Sequence, residues 1–187
     1  VTSIDQVSGG RFLFGIGNGW NQDEMENHGT DFKGRHKLVR ERIEAMKVIW
    51  TEAKAEYHGD LVDFDPMMTW PKPMTKPHPP ILVGGAFPYS ARRAIRYGDG
   101  WMPQLTEKMQ MPFHEQIPAF RQMAVDAGRD PESVSVSVWG RLPNYDEIAG
   151  YQDLNVERVC TSLESSTEDT ILPILDKWAK LIERMNS

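Results

Sequence analysis

Short apolar runs alternate along this chain with longer stretches of helical periodicity. Phe12, Leu13, Phe14 and Ile16 form a nearly continuous apolar run, the pattern of a strand buried on both faces. An acidic loop, Asp23-Glu24-Met25-Glu26, comes next. From Phe32 to Trp50, Leu38, Val39, Ile43, Met46, Ile49 and Trp50 recur at helical spacing with charges between them, which predicts an amphipathic helix. Tyr57-His58-Gly59-Asp60 reads as a turn, and Val62-Asp63-Phe64 alternates like a short exposed strand. Pro66 to Pro80 is rich in proline, which blocks helix and ladder alike and predicts an irregular excursion over the surface. Ile81-Leu82-Val83 is uncharged and β-branched, a buried strand. A helix from about Ser90 to Tyr97 carries Arg92, Arg93 and Arg96 on its outer side, and Trp101-Met102 is a very short strand.

Glu115 to Ala127 reads as a helix stopped by Gly128, with Pro131 beyond it. Val134, Val136 and Val138 alternate with Ser135 and Ser137, a strand pattern, and Val156 to Leu163 is a further strand candidate. The strongest helical stripe is Ile171, Ile174, Leu175, Trp178, Leu181, Ile182 and Met185. Ser165 and Glu168 have capping-box spacing ahead of it, and Pro173 requires a first turn that starts close by.

Glycines punctuate this alternation. They follow the first apolar run as Gly15, Gly17 and Gly19, the second as Gly84 and Gly85, and flank Asp99 as Gly98 and Gly100. Repeated strand–glycine–helix units build the ligand face of an α/β barrel. Glycines in such turns allow positive φ and close approach of a ligand. Backbone N–H groups beside a helix N-terminus then form an anion site. A tight turn without a ligand is the plain alternative for any one of them; three in register favour a site.

Composition narrows the classes. The 187 residues suffice for one domain with a real core. The net charge of −6, with mixed signs and no basic patch, argues against a nucleic-acid partner. The single cysteine, Cys160, excludes an internal disulfide and reads as core. No apolar run has membrane-spanning length and no signal-peptide pattern is seen, so a cytoplasmic location without membrane contact is expected. The chain opens at Val1 in the middle of a pattern, which reads as a piece of a longer chain.

Candidate chemistry is sparse. The five histidines are scattered and none forms His-Glu-x-x-His, so no metal site is expected. Asp23, Glu24 and Glu26 read as a solvated helix start or loop. Counted from Gly15, the sixth position of a Gly-x-Gly-x-x-Gly pattern is Trp20, and from Gly17 it is Gln22; the dinucleotide fingerprint fails. No Gly-Lys-Ser/Thr is present, so the nucleotide P-loop fails too.

In their order, Ser8-Gly9-Gly10-Arg11-Phe12, Gly15-Ile16-Gly17-Asn18-Gly19-Trp20, the helix through Arg35 and Ile43 to Trp50, His58-Gly59, Pro71-Lys72-Pro73, His78-Pro79-Pro80-Ile81 with Gly84-Gly85, and Gly98-Asp99-Gly100-Trp101 resemble the luciferase-like monooxygenase superfamily. The match is closest to its branch that uses coenzyme F-420, an 8-hydroxy-5-deazaflavin. Each motif is weak alone, and the ordered set is specific. The resemblance implies an α/β fold of the (β/α)8 TIM-barrel type over residues 1–187. Such barrels take about 250 residues, and by the family's plan this chain begins just before the fourth strand. An incomplete barrel lacking the first strands is therefore expected. Its two unpaired edges imply a homo-oligomer, a dimer.

Carried over by resemblance, Asn18 and Gly19 lie beside the deazaflavin. Trp20 stands where some relatives place a catalytic carboxylate, which leaves the catalytic acid or base unassigned, since an indole relays no proton. Asp23 is a weaker cofactor contact. Gly84, Gly85 and Ala86, with Ser90 opening the next helix, resemble the family's phosphate loop. Trp101, at the end of a strand, either stacks on substrate or closes the core. Arg141 either binds an anionic substrate group or is a surface arginine. The function implied is hydride transfer between coenzyme F-420 and a small organic substrate. The alternatives are an FMN-dependent monooxygenase or a non-catalytic flavin-binding short relative.

Overall fold

The computed structural model describes residues 1–104, 111–140 and 145–185. In chain order the elements are α1 (Thr2–Ser8), β1 (Phe14–Ile16), α2 (Gln22–Asn27), α3 (Arg35–Thr51), β2 (Ala55–His58), β3 (Asp63–Met67) and β4 (Ile81–Gly84). They continue with α4 (Tyr89–Tyr97), β5 (Gly100–Met102), α5 (Phe113–Asp126), β6 (Ser135–Gly140), α6 (Tyr145–Asp153), β7 (Arg158–Thr161) and α7 (Glu168–Met185).

Five strands form one sheet in the order β1-β4-β5-β6-β7, every neighbouring pair parallel. This is the α/β architecture of consecutive βα units from a (β/α)8 barrel, and β1 and β7 are its two edges. Parallel strands covered by helices must bury both faces, and the three inner strands comply. Ile81, Val83, Trp101 and Val136 are fully buried. The Trp101 ring packs 4.8 Å from Phe120 and 5.8 Å from Phe87. At the other end of the sheet, Trp50 meets Phe14 edge-on at 5.9 Å.

Spacing between strands is set by one absent side chain. Gly100 pairs with Leu82 on one side and Ser135 on the other. A Cβ on it would lie 2.4 Å from Leu82 Cδ2 and 2.6 Å from Ser135 Oγ. Both neighbouring side chains thus fold over the bare backbone of β5. Beside it, the Asp99 carboxylate accepts from the Ile81 amide at 2.9 Å while the Asp99 amide donates to the Ile81 carbonyl at 2.8 Å. The Gly98-Asp99-Gly100 motif therefore works at the strands' starting ends, where barrel residues serve stability rather than ligand.

Two buried carboxylates tie distant segments together. Glu41 of α3 accepts from the Leu61 and Val62 amides at 2.7 and 3.1 Å and ion-pairs with Lys37 and Arg40, which fixes the antiparallel β2–β3 hairpin against the helix. Beside it, burial and a 2.7 Å bond donated to Glu44 push the Tyr57 hydroxyl to about 12. Asp5 of α1 accepts from Thr75 N at 2.9 Å and Thr75 Oγ1 at 2.8 Å. Asp5 is shielded from water under a thin layer of protein. Burial raises its pKa, but the Thr75 bonds, helped by Lys76, outweigh this and hold it below the ordinary carboxylate value.

Several sequence expectations need correction. Tyr57 and His58 belong to strand β2, so the turn runs from Gly59 to Val62, closed by the Gly59 amide donating to the Val62 carbonyl at 2.8 Å. The acidic loop is a helix, α2, because the Asn21 side chain accepts from Glu24 N at 3.3 Å and starts a turn there. Helix α7 opens at Glu168, with Thr167 rather than Ser165 ahead of its first turn, so Pro173 sits inside it. Cys160 is only partly buried in β7.

Candidate active site

The C-terminal ends of parallel strands carry the ligand sites of barrel enzymes. Here the ends of β1 and β4 bring Asn18, Gly19 and Trp20 to one edge of the sheet together with Gly84, Gly85 and Ala86. Of Gly15, Gly17 and Gly19, only Gly19 takes a positive φ, 76°. The Gly19 carbonyl accepts from Arg35 Nε at 3.3 Å, and the Arg35 guanidinium lies 3.6 Å over the Phe32 ring. That arginine pins the loop after β1 to the start of α3.

Asn18 is the residue with the clearest unmet need. Both polar atoms of its amide are shielded from solvent and neither makes a well-formed hydrogen bond among the described residues. Shielding such a group without a partner costs about 1–3 kcal/mol. Tyr97 of α4 stands in the same position: its side chain is buried and its hydroxyl lacks a well-aligned partner, although the Asn18 amide lies close by. Burial pushes the Tyr97 phenol up, opposed by the Arg93 guanidinium and the Asn18 amide.

The glycine loop after β4 is shaped to admit something. Gly85 takes φ 129°, and a Cβ on it would lie 3.3 Å from Ser90 Cβ and 3.6 Å from Arg93 Nη2. Arg93 is thus turned toward the loop, not outward as the sequence reading placed it, while Arg92 and Arg96 are exposed. Ser90 is fully buried, and its hydroxyl is committed within the protein. It accepts from Trp101 Nε1 at 2.9 Å and faces the Gly85 and Ala86 carbonyls at 2.7 and 2.9 Å. Ser90 therefore shapes the loop, and Trp101, wholly enclosed, closes the core and presents no surface to a substrate.

The other expected positions scatter. Trp20 projects an 88% exposed indole beside the shallow cleft that Gly19, Asn21 and Met25 help to line. Asp23 is exposed in the first turn of α2, a placement that favours a negative charge without a ligand. Arg141 lies outside the described residues. No cluster of metal-ligating side chains occurs among the described residues, and no helix among them is long and apolar enough to cross a membrane.

These residues fit a cofactor that combines a polar ring with an anionic tail. The shielded and loosely held Asn18 amide suits ring polar groups, and the bare Gly85 backbone beside Arg93 suits the anion. A parallel βα sheet with such a site at its strand ends is the arrangement that forms the ligand face of barrel enzymes. A family model described as luciferase-like monooxygenase matches residues 1–144, and the chain belongs to that family.

The chain is 33% identical over 186 residues to an uncharacterized protein of Mycobacterium tuberculosis, across 96% of this chain and 62% of that one. It therefore spans less than two thirds of that relative's length. It is 33% identical over 102 residues to an FMNH2-dependent dimethylsulfone monooxygenase of Pseudomonas putida, covering 53% of this chain and 28% of the other. With an F-420-dependent hydroxymycolic acid dehydrogenase of Mycobacterium tuberculosis it shares 29% identity over 134 residues, 71% of this chain and 36% of the other. In fold it superposes on an F-420-dependent secondary alcohol dehydrogenase with a TM-score of 0.65 and 18% identity, covering 86% of this chain and 66% of that one.

Proposed function

We propose that this chain carries the cofactor-binding part of an oxidoreductase that moves a hydride between coenzyme F-420 and a small organic substrate. The observation that carries the reading is the solvent-shielded Asn18 amide at the end of β1, held only loosely by the Tyr97 hydroxyl and one strand from the Gly84-Gly85 loop. The deazaflavin, when bound, supplies the two-electron carrier. Asn18 would satisfy polar atoms of its ring, and the Gly85 backbone would admit its phosphate. Trp20 offers an exposed apolar face against which a ring system can pack, and it relays no proton. The small-molecule specificity and a dimeric assembly across the open edges of β1 and β7 belong to the same proposal.

An FMN-dependent monooxygenase is the second reading, supported by the similarity to the Pseudomonas putida enzyme. Fluorescence titration of the 187-residue chain with F-420 and, in parallel, with FMN separates the two. Saturable binding of F-420 with FMN much weaker supports hydride transfer. The reverse preference, with oxygen uptake in the presence of reduced FMN, supports the monooxygenase. Asn18→Leu is expected to weaken the preferred cofactor roughly tenfold or more, the worth of about one buried hydrogen-bonding group.

A further inference from the structure

The loop after β1 and the last residue of α4 bring shielded polar atoms together: both amide atoms of Asn18 and the hydroxyl of Tyr97. None of them makes a well-formed hydrogen bond among the described residues, but the amide and the phenol lie within loose hydrogen-bonding reach of each other. The Tyr97 side chain is buried, at 5% exposure, in the core cluster that also holds Ile81, Val83 and Trp101. Close packing holds such a ring in place, whereas the terminal amide of an asparagine turns about a broad, two-fold torsion. Of the two groups, the phenol is the fixed one and the amide the one that adjusts.

The inventory of donors and acceptors decides how they meet. Burial pushes the Tyr97 phenol up and keeps it protonated, so its hydroxyl has one hydrogen to place. The charges that reach it are the guanidiniums of Arg93, Arg40 and Arg96, and a guanidinium carries donors only. Arg93 Nε is itself shielded and lacks a well-formed bond. Among the side chains around the phenol, Asn18 is therefore the one that offers an acceptor, its Oδ1. With Oδ1 taken by the phenol, the Nδ2 hydrogens are the part of the amide left for a ligand.

We propose that Tyr97 is a positioning residue: its hydroxyl holds Asn18 Oδ1 and so commits the Asn18 NH2 group to the ligand, which makes the matching ligand atom a hydrogen-bond acceptor. The inference rests on the cofactor reading for the ring that Asn18 meets; the coupling of the two side chains does not depend on it. A ring carbonyl oxygen is an acceptor of the required kind, and a ring N–H is not. Without the hydroxyl, the amide is free to present either end, and the preference for an acceptor is lost. Tyr97 touches no ligand in this arrangement and acts through Asn18.

The test is a double-mutant cycle in the full 187-residue chain, titrated with F-420 and with FMN. Tyr97→Phe keeps the ring and removes only the hydroxyl. It is expected to weaken the preferred cofactor roughly three- to tenfold, the range of one hydrogen bond. In the Asn18→Leu background the same change should have no further effect, because the group it positions is gone. Additive losses would make Tyr97 a structural residue and overturn the proposal. Asn18→Asp gives the second arm: it keeps acceptors at both ends and loses the donors, so it should bind no better than Asn18→Leu. Cofactor binding retained in Asn18→Asp would show that the carbonyl end meets the ligand, which also overturns the proposal. A third arm needs no ligand. The Asn18 side-chain NH2 signals, assigned by NMR with Asn18→Leu, should shift in Tyr97→Phe, and unchanged signals would end the claim of coupling. If neither F-420 nor FMN binds while those signals still respond to Tyr97→Phe, the coupling stands and the cofactor reading falls.

Discussion

Helices α4 and α7 are both amphipathic by sequence, yet the fold treats them in opposite ways. Helix α4 buries Ser90, Ala91, Ala94, Ile95 and Tyr97, whereas no residue of α7 is buried. Leu175 is 40% and Ile182 60% exposed along the longer apolar stripe. The difference lies in position. Helix α4 covers the joint between β4 and β5 and has α3 and α5 on its flanks. Helix α7 follows β7, the edge strand, where the sheet offers a neighbour on one side only. Periodicity thus specifies which side of a helix is apolar; the number of neighbours decides whether that side is covered.

The largest expected effect compares two tryptophans. Trp101→Ala, beneath α4, removes a fully enclosed ring and the donor to Ser90, and should cost about 3–5 kcal/mol in urea denaturation. Trp178→Ala, on the half-covered face of α7, should cost about 1 kcal/mol or less. Equal costs would show that the α7 face is covered in solution, and sedimentation would then reveal association.

Overfilling sharpens the contrast. Ala94 is fully buried in α4 and Ala179 is exposed on α7. Ala94→Leu should lower stability by about 1–3 kcal/mol, while Ala179→Leu should move it by no more than about 0.5 kcal/mol.

Acid provides a third probe, aimed at the α1 anchor. The Asp5 carboxyl sits below its ordinary value in the folded protein. Its contribution is therefore present above the unfolded carboxylate pKa and is lost as pH falls through the folded one. Wild type should lose stability relative to Asp5→Asn as pH drops below about 4. A constant difference between the two proteins across that range would remove Asp5 as an acid-sensitive anchor. The smallest effect is expected at the outer rim, where Ile182→Ser should change stability by about 0.5 kcal/mol or less.

All five sheet strands and four of the helices were legible in the sequence, because each carries an apolar run or stripe. Helices α1, α2 and α6 were not. Helix α2, Gln22–Asn27, has Met25 as its one apolar residue and exists through the Asn21 cap. Helix α1 is anchored by Asp5 to Thr75, 70 positions away, and no local pattern encodes such a bond. In the site, Asn18 and the Gly84-Gly85 loop stood out through their motifs. Arg93 did not. Arg92, Arg93 and Arg96 look alike on a helical wheel, and only the fold shows which guanidinium bends back toward the loop.

The folded-over backbone at Gly100 has an evolutionary reading as well. With Leu82 Cδ2 at 2.4 Å and Ser135 Oγ at 2.6 Å from where a Cβ would stand, the three positions share a single allotment of volume. A lineage that enlarges residue 100 must shrink a neighbour in the same step or lose the sheet. Drift at Leu82 and Ser135 is therefore coupled through a residue that has no side chain. Across homologues, the expected trace is compensated triplets rather than independent substitutions, a covariation centred on a glycine.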